Sequence, residues 1–247
     1  MMRDSSSLEV FRVAEMETAK GMFVLGGLIA GFSFKRGEYL RRAWFIYVGA
    51  MAVLLLRDGL FGYDIFTNDY WRGIYKGGFT LVANLVGVMG TWMLASAWKV
   101  AGIELPGSKR AKAFVWGSAL ILAMMFAGPS IVINIPLLFH GNTSSLIWIF
   151  SGLGDVIMLF LIAPLLLTAL ALRGGLLGWP WGLLTASVIT WLVFDALVAL
   201  LPALNADEYT VMVTMETLRA TACLFVFSAG VAQRLVMKHT SQMAKMT

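Results

Sequence analysis

The stretch RGEYLRRAWFIYVGAMAVLLLRDGL, from Arg36 to Leu60, recurs 137 positions later as RGGLLGWPWGLLTASVITWLVFDAL, from Arg173 to Leu197. Chance similarity between two apolar stretches would match only about two positions. We therefore interpret the second copy as an internal duplication. The two copies align without a gap and share seven identities in 25 positions, namely Arg36/Arg173, Gly37/Gly174, Leu40/Leu177, Trp44/Trp181, Leu55/Leu192, Asp58/Asp195 and Leu60/Leu197.

The composition is typical of a protein embedded in a lipid bilayer. Hydrophobic residues make up 59% of the 247 residues, charged residues only 13%, and the mean hydropathy is +0.80. Backbone polar groups find no water inside a bilayer, so the long, non-alternating apolar runs predict helices rather than barrel strands. The predicted fold class is an all-α polytopic membrane protein. We interpret the formal charge of +5 as a topology signal, and no nucleic-acid partner is expected.

Seven apolar segments are predicted to cross the membrane, within a membrane domain over 18–237. Residues 1–17 are expected to form a tail or an interfacial helix, and 238–247 a cytoplasmic tail. The duplication relates segments one to three, about 18–100, to segments five to seven, about 144–237, in a parallel 3+1+3 arrangement. The seven segments are 18–34, 43–61, 73–100, 113–139 (the linker), 144–171, 179–203 and 211–237.

Basic residues set the predicted orientation. Twelve lysines and arginines follow segments one, three, five and seven, whereas five lie on the other side of the membrane. The positive-inside rule therefore places the N-terminus outside and the C-terminus in the cytoplasm. The predicted location is the bacterial cytoplasmic (inner) membrane, crossed several times.

Six charged residues lie within the apolar segments, where each would cost about 2.5–3.5 kcal/mol if unpaired. Segment counting places Asp155 near mid-depth and the others in the outer third, so we expect one polar cluster that opens outward. Glu216 and Arg219 share a helix face and can pair, whereas Arg57 and Asp58 point about 100° apart and are expected to find different partners. The six residues are Arg57, Asp58, Asp155, Asp195, Glu216 and Arg219.

Two interpretations of this polar cluster stay open. It can be an ion-pair network that fixes helix register, or a pocket for a small ligand or a cation, because two arginines against four carboxylates leave a formal charge of −2. No cofactor is expected. The two histidines, His140 and His239, lie at opposite segment ends and do not suit haem, the last segment has no lysine for retinal, and no Cys/His cluster suggests zinc.

One motif resembles an enzyme family. The sequence GLGD at 152–155, with Tyr63-Asp64 and Pro202-Ala203-Leu204, resembles the motifs of presenilin-like intramembrane aspartyl proteases. That chemistry needs two neighbouring acids, and Asp64 is expected in an outer loop. A protease is therefore the minor alternative, and no catalytic residue is predicted.

A second resemblance covers most of 36–234. The pattern RRAW, RDGLFGYDIF, GLGDVIMLFLIAPLLLTALALRGG and VFDALVALLPAL resembles the seven-helix sensor regions of bacterial histidine kinases and diguanylate cyclases. The resemblance implies a membrane sensor that drives a cytoplasmic output. About ten residues follow the last segment, so the output domain is expected on another chain. The leading hypothesis is a non-catalytic sensor or complex subunit that binds a ligand or partner, and the alternative is a transporter of a small solute or ion.

Overall fold

The chain has no proline before Pro106, and its first two apolar segments fold as long uninterrupted helices. The third segment is helical to Ala95 and breaks at Ser96. The computed structural model describes residues 5–62, 69–142, 145–203 and 207–243, and these ranges contain helices and connections but no strand. The all-α prediction is confirmed. The helices are α1 Ser5–Ser33, α2 Tyr39–Gly62, α3 Asp69–Ala95, α4 Ala97–Val100, α5 Lys109–Phe126, α6 Gly128–Phe139, α7 Ser145–Phe160, α8 Ile162–Ala171, α9 Gly178–Ala203 and α10 Glu208–Met243.

Four helical stretches are long and apolar enough to cross a membrane. A fifth is added if α5 and α6, which are bent by 46° at a short break, form one span, and Gly178–Phe194 is a shorter apolar helix. These helices fit a membrane protein, whereas the count of seven spans stays a prediction. The four stretches are Tyr39–Leu60, Tyr75–Ala95, Ser145–Ala171 and Tyr209–Thr240.

The helices at both ends run past the boundaries expected from hydropathy. α1 continues through the boundary between residues 17 and 18, because no glycine or proline interrupts it before Gly21. α10 likewise continues beyond residue 237 to Met243. Charged residues thus lie on the same continuous helices as the apolar runs that follow or precede them.

Prolines coincide with the two breaks in the middle of the chain. Pro129 has no amide hydrogen for the carbonyl of Met125, and the helix bends between α5 and α6 at Ala127. Pro164 in the same way leaves the carbonyl of Phe160 without its helical partner, at the point where α7 ends. The predicted segments 113–139 and 144–171 are therefore each built from two helices.

Helix contacts close a ring around the centre of the molecule. α1 packs on α2, α2 on α3, and α3 on α7; α8 packs on α9, α9 on α10, and α10 returns to α1. α5 and α6 pack mainly against α7. The part that corresponds to the predicted linker thus joins one member of the ring, and the ring itself comes from the flanking segments.

Small residues allow the closest helix contacts. A Cβ on Gly27 would overlap Val48 and one on Gly31 would overlap Phe45, so both glycines face α2. Glycines four residues apart on one helix face allow a neighbouring helix to approach closely, as α2 does here. A Cβ on Gly230 would lie 1.9 Å from the carbonyl oxygen of Gly26, so the backbones of α1 and α10 touch there.

The repeated residues make the same kind of turn in both places. Gly37 and Gly174 adopt the left-handed conformation, with φ of +92° and +89°, just before α2 and α9. Seven residues later, Trp44 and Trp181 are buried, with 2% and 7% of their surface exposed. Each copy therefore starts with a glycine turn and then inserts a tryptophan into the core.

Candidate ligand-binding site

Ionic side chains join α1, α2 and α3 near the end of the bundle where α1 begins. Lys20 Nζ lies 2.5 Å from Asp58 Oδ2 and 2.6 Å from Glu17 Oε1. Arg57 Nη2 lies 2.6 Å from Asp58 Oδ1, and Arg57 Nη1 donates a hydrogen bond of 2.9 Å to Thr80 Oγ1. We call these five residues the ion-pair cluster. Its two cations and two carboxylates balance in formal charge.

The prediction that Arg57 and Asp58 find different partners is wrong in part. Arg57 Nε donates to Asp58 Oδ1 at 2.7 Å, although the same guanidinium also reaches Thr80. The long arginine side chain curls along the helix surface and spans the angle between adjacent positions. The direction of the Cα–Cβ bond of Arg57 therefore does not determine the position of its guanidinium group.

Sequence reasoning missed Lys20 as a member of this cluster. Its position beside the apolar run that starts at Gly21 favoured a side chain at the membrane interface. In the structure, only 15% of the Lys20 side chain is exposed, because it turns toward α2 and pairs with Asp58. The spacing of three residues from Glu17 was a signal for at least one of its ion pairs.

A cavity of about 260 Å³ lies inside the helix ring. Side chains from α1, α2, α3, α7 and α9 line it, and most of them are apolar or aromatic. The polar lining groups are Asn84 and Thr91 on α3, Asp155 on α7 and the Tyr47 hydroxyl on α2. We call this space the Asp155 cavity.

Asp155 differs from Asp58 and Asp207 in its contacts with the described part of the chain. Its carboxylate makes no hydrogen bond or ion pair with any residue that the structure describes. Asn84 on α3 lines the same cavity, and its Nδ2 donates to Ser151 Oγ at 2.7 Å. The carboxylate therefore lines the cavity without a counterion from the described protein.

The ion-pair cluster lies about one helical turn above this cavity, toward the end where α1 begins. Lys20 precedes the cavity residue Phe23 by three positions, Asp58 follows Leu54 by four, and Thr80 precedes Ala83 by three. One turn corresponds to about 5.4 Å along each helix. Since all three offsets point the same way, the cluster lies beyond the cavity along α1, α2 and α3.

The structure places the predicted site residues in separate groups. Arg57 and Asp58 belong to the ion-pair cluster, and Asp155 belongs to the cavity below it. The side chain of Asp195 lies outside the described residues. One outward-opening cluster of all six was therefore an oversimplification of the described part.

The remaining two predicted residues lie on α10. The Arg219 guanidinium carbon is 4.6 Å from the ring centroid of Phe194, a cavity residue, which is a cation–π contact. Glu216 is partly buried one turn earlier, and its pairing with Arg219 stays a prediction. Arg219 thus touches the outer side of the cavity wall.

The protease motif brings one acid to the cavity. Asp155, the last residue of GLGD, is the one carboxylate among the described residues that line it. Asp64, the other acid in that resemblance, lies outside the described residues. Aspartyl protease chemistry needs two carboxyl groups close enough to share a proton. The described residues of the cavity supply one of these two carboxyl groups.

Comparisons with models of protein families, with curated proteins and with solved structures find no match for this chain. The resemblance to sensor regions therefore stays a prediction, and any function must be argued from the cavity and the ion-pair cluster.

Proposed function

We propose that this chain is a membrane-embedded ligand-binding protein, a non-catalytic sensor or complex subunit, whose ligand occupies the Asp155 cavity. One observation carries the proposal: a carboxylate that has no partner among the described residues lines a cavity walled by five helices. A carboxylate removed from water is stabilised by a counterion, a hydrogen-bond donor or a proton. A ligand that brings a complementary group would supply what the described protein does not.

The ion-pair cluster takes a different role in this proposal. Its charges satisfy one another, so it has little left to offer a ligand directly. The cluster lies one turn beyond the cavity and joins three helices of the ring, so it would cover the cavity at the end where α1 begins. Ligand entry from that side would require these ion pairs to separate.

We further propose seven spans in a parallel 3+1+3 arrangement, with the N-terminus outside a bacterial inner membrane. The order of helices around the ring supports a duplication, since α1, α2 and α3 are followed by the equivalents α7/α8, α9 and α10. Met51 and Leu54 on α2 line the cavity, and so do Val188 and Trp191, 137 positions later on α9. Equivalent faces of the two copies thus meet the same cavity.

Transport of a small solute or ion is the second candidate. Asp155 lies ten residues into the 27-residue stretch Ser145–Ala171, near the depth at which transporters place their binding sites. A sensor and a transporter differ in access. A sensor keeps one side of the cavity sealed, whereas a transporter opens the cavity to each side in turn.

Thiol labelling of the cavity tests these proposals. Met158, which lines the cavity, is changed to cysteine in a Cys223→Ala background, so that the sole native cysteine does not react. Neutral methyl methanethiosulfonate should label Met158→Cys within minutes. Leu56→Cys, on a helix surface with 55% of the leucine exposed, is the control and should label slowly, because hydrocarbon disfavours the reactive thiolate.

Sidedness follows from a membrane-impermeant trimethylammonium thiosulfonate applied to right-side-out and inverted vesicles. Labelling from the outer face alone supports the sensor, and labelling from both faces supports the transporter. If neither the neutral nor the impermeant reagent labels Met158→Cys above the Leu56→Cys control, the cavity does not admit small molecules and the ligand-binding proposal fails.

The sensor proposal also expects a partner with a cytoplasmic output domain. Mild cross-linking of native membranes, followed by affinity purification of this chain, should recover such a partner in a fixed ratio. Recovery of the chain alone at every cross-linker concentration, with the cavity labelled from both faces, would contradict the sensor and leave transport.

A further inference from the structure

We propose that the Asp155 cavity binds a small organic cation of the alkylammonium type. The inference rests on the proposed ligand-binding function and deepens it by naming the chemical class of the ligand. It combines two features of the cavity: one carboxylate without a counterion among the described residues, and walls rich in aromatic rings.

The negative charge of an ionised Asp155 indicates a positively charged ligand. An ionised carboxylate at Asp155 is stabilised by a positive group, and the described cations around the cavity are engaged elsewhere. The Arg219 guanidinium on α10 lies against the Phe194 ring. Lys20 is held by Glu17 and Asp58, and Arg57 is held by Asp58 and Thr80. The ion-pair cluster balances in formal charge, so it does not repel a cation that passes it. A cationic ligand would therefore complete the charge balance of the cavity.

The walls indicate an organic cation rather than a metal ion. Phe23, Tyr47 and Trp191 line the cavity, and the Phe23 and Tyr47 rings lie 5.1 Å apart between centroids. Aromatic faces attract ammonium groups and also accommodate their methyl or methylene carbons. Hard metal ions such as Ca²⁺ take about six to eight oxygen ligands, whereas this cavity offers one carboxylate and few neutral oxygens.

Volume limits the size of the ligand. About 260 Å³ is near the lower end of small-molecule pockets. A compact ammonium compound fits such a volume, whereas a two-chain lipid does not. The cavity therefore favours a small cation with a short apolar or hydroxylated arm.

Protection from thiol labelling provides the test. Choline is the probe, and its uncharged isostere 3,3-dimethylbutan-1-ol has nearly the same shape. The Met158→Cys, Cys223→Ala protein is labelled with neutral methyl methanethiosulfonate at constant ionic strength and increasing probe concentration. Choline should protect the thiol at concentrations at least tenfold lower than the alcohol does.

Variants assign this preference to the named residues. Asp155→Asn should remove the tenfold preference for choline, while Asp155→Glu keeps it. Trp191→Leu should weaken choline protection several-fold, and Trp191→Phe should weaken it less, because phenylalanine retains an aromatic face. Gel filtration and the unprotected labelling rate show whether each variant is folded with an open cavity.

The outcomes separate this inference from the proposed function. Rapid labelling with equal protection by choline and by the alcohol, or an Asp155→Asn variant with an unchanged preference, overturns the cation inference and leaves a cavity for neutral ligands. Labelling no faster than Leu56→Cys overturns the ligand-binding function, and the cation inference with it.

Discussion

Asp58 and Asp155 are two aspartates inside apolar helices, and the structure treats them in opposite ways. The Asp58 carboxylate pairs with two cations, since its Oδ2 lies 2.5 Å from Lys20 Nζ and its Oδ1 lies 2.6 Å from Arg57 Nη2. Asp155 has no partner among the described residues and lines a cavity. Insertion energies alone assign both the same cost of about 2.5–3.5 kcal/mol. Partnership, rather than depth, therefore distinguishes Asp58, which joins two helices, from Asp155, for which we propose a ligand.

The largest effect is expected at Asp58. Asp58→Asn leaves Lys20 and Arg57 without their shared carboxylate, in a region where both side chains are mostly buried. Removal of one partner from such a group should lower the free energy of unfolding by about 3 kcal/mol. Thermal unfolding of the detergent-solubilised protein, followed by gel filtration, measures the loss.

A double variant shows whether the loss comes from the orphaned charge. Lys20→Met combined with Asp58→Asn removes one cation together with the carboxylate, so it should be more stable than Asp58→Asn alone. Lys20→Met is also measured alone. If the stability losses of Lys20→Met and Asp58→Asn add up to the loss of the double variant, the ion-pair cluster does not couple α1 to α2, and the contrast with Asp155 loses its basis.

The same substitution at Asp155 should change the free energy of unfolding in the opposite direction. Asp155→Asn removes an unpaired charge and breaks no hydrogen bond with the described protein, so it should raise the free energy of unfolding by about 1–2 kcal/mol. The gain is smaller than the full cost of a membrane charge, because the carboxyl group can take up a proton. The same unfolding assay, run without added ligand, measures it. A loss of stability would show that Asp155 has a structural partner.

Ser151 offers a smaller test of the same contrast. Its hydroxyl accepts a hydrogen bond of 2.7 Å from Asn84 Nδ2, beside the cavity. Ser151→Ala should lower the free energy of unfolding by about 1 kcal/mol. It also frees the Asn84 amide to turn toward Asp155. In this background Asp155→Asn should no longer stabilise the protein, since the carboxylate has gained a donor. A gain that persists would show that Asn84 does not reach Asp155.

Several features of the fold could be predicted from residue patterns, and the exceptions have physical causes. Hydropathy predicted the all-α class, because it depends on the local apolar character of each segment. Helix breaks at Pro129 and Pro164 were not anticipated, since membrane helices often bend at proline without ending. The count of spans also depends on whether such broken helices cross as one.

The candidate site was harder to predict than the fold. The charged residues in apolar segments were visible in the sequence, but their grouping depends on how helices pack around the ring. Lys20 pairs with Asp58 across two helices, and Asp155 has no partner among the described residues, although segment counting placed both aspartates in one cluster. The aromatic lining from Phe23, Tyr47 and Trp191 comes from three helices, so no local motif reveals it.

Asp207 provides the smallest test, because it is exposed and its partners are neutral. It precedes α10, where Oδ1 accepts from the Thr210 amide at 2.9 Å and Oδ2 from the Thr210 hydroxyl at 2.5 Å. These hydrogen bonds favour the charged form and hold the pKa of Asp207 below its ordinary value. Because the pKa of Asp207 is lower in the folded state, its hydrogen bonds stabilise the folded state fully above the unfolded pKa of about 4. This stabilisation is lost as the pH falls through the folded pKa.

Hydrogen exchange at the first turn of α10 should therefore accelerate at acidic pH, beyond the intrinsic pH dependence of exchange, in the natural protein. Asp207→Asn retains a side-chain acceptor for the Thr210 amide but has no carboxyl group to titrate, so its excess acceleration should disappear. An unchanged acid response in Asp207→Asn would assign the effect to another acid. Asp207 thus completes the contrast: ionic partners make Asp58 structural, and neutral donors make Asp207 a local helix cap. Asp155 has neither among the described residues, which is why we propose that it binds a ligand.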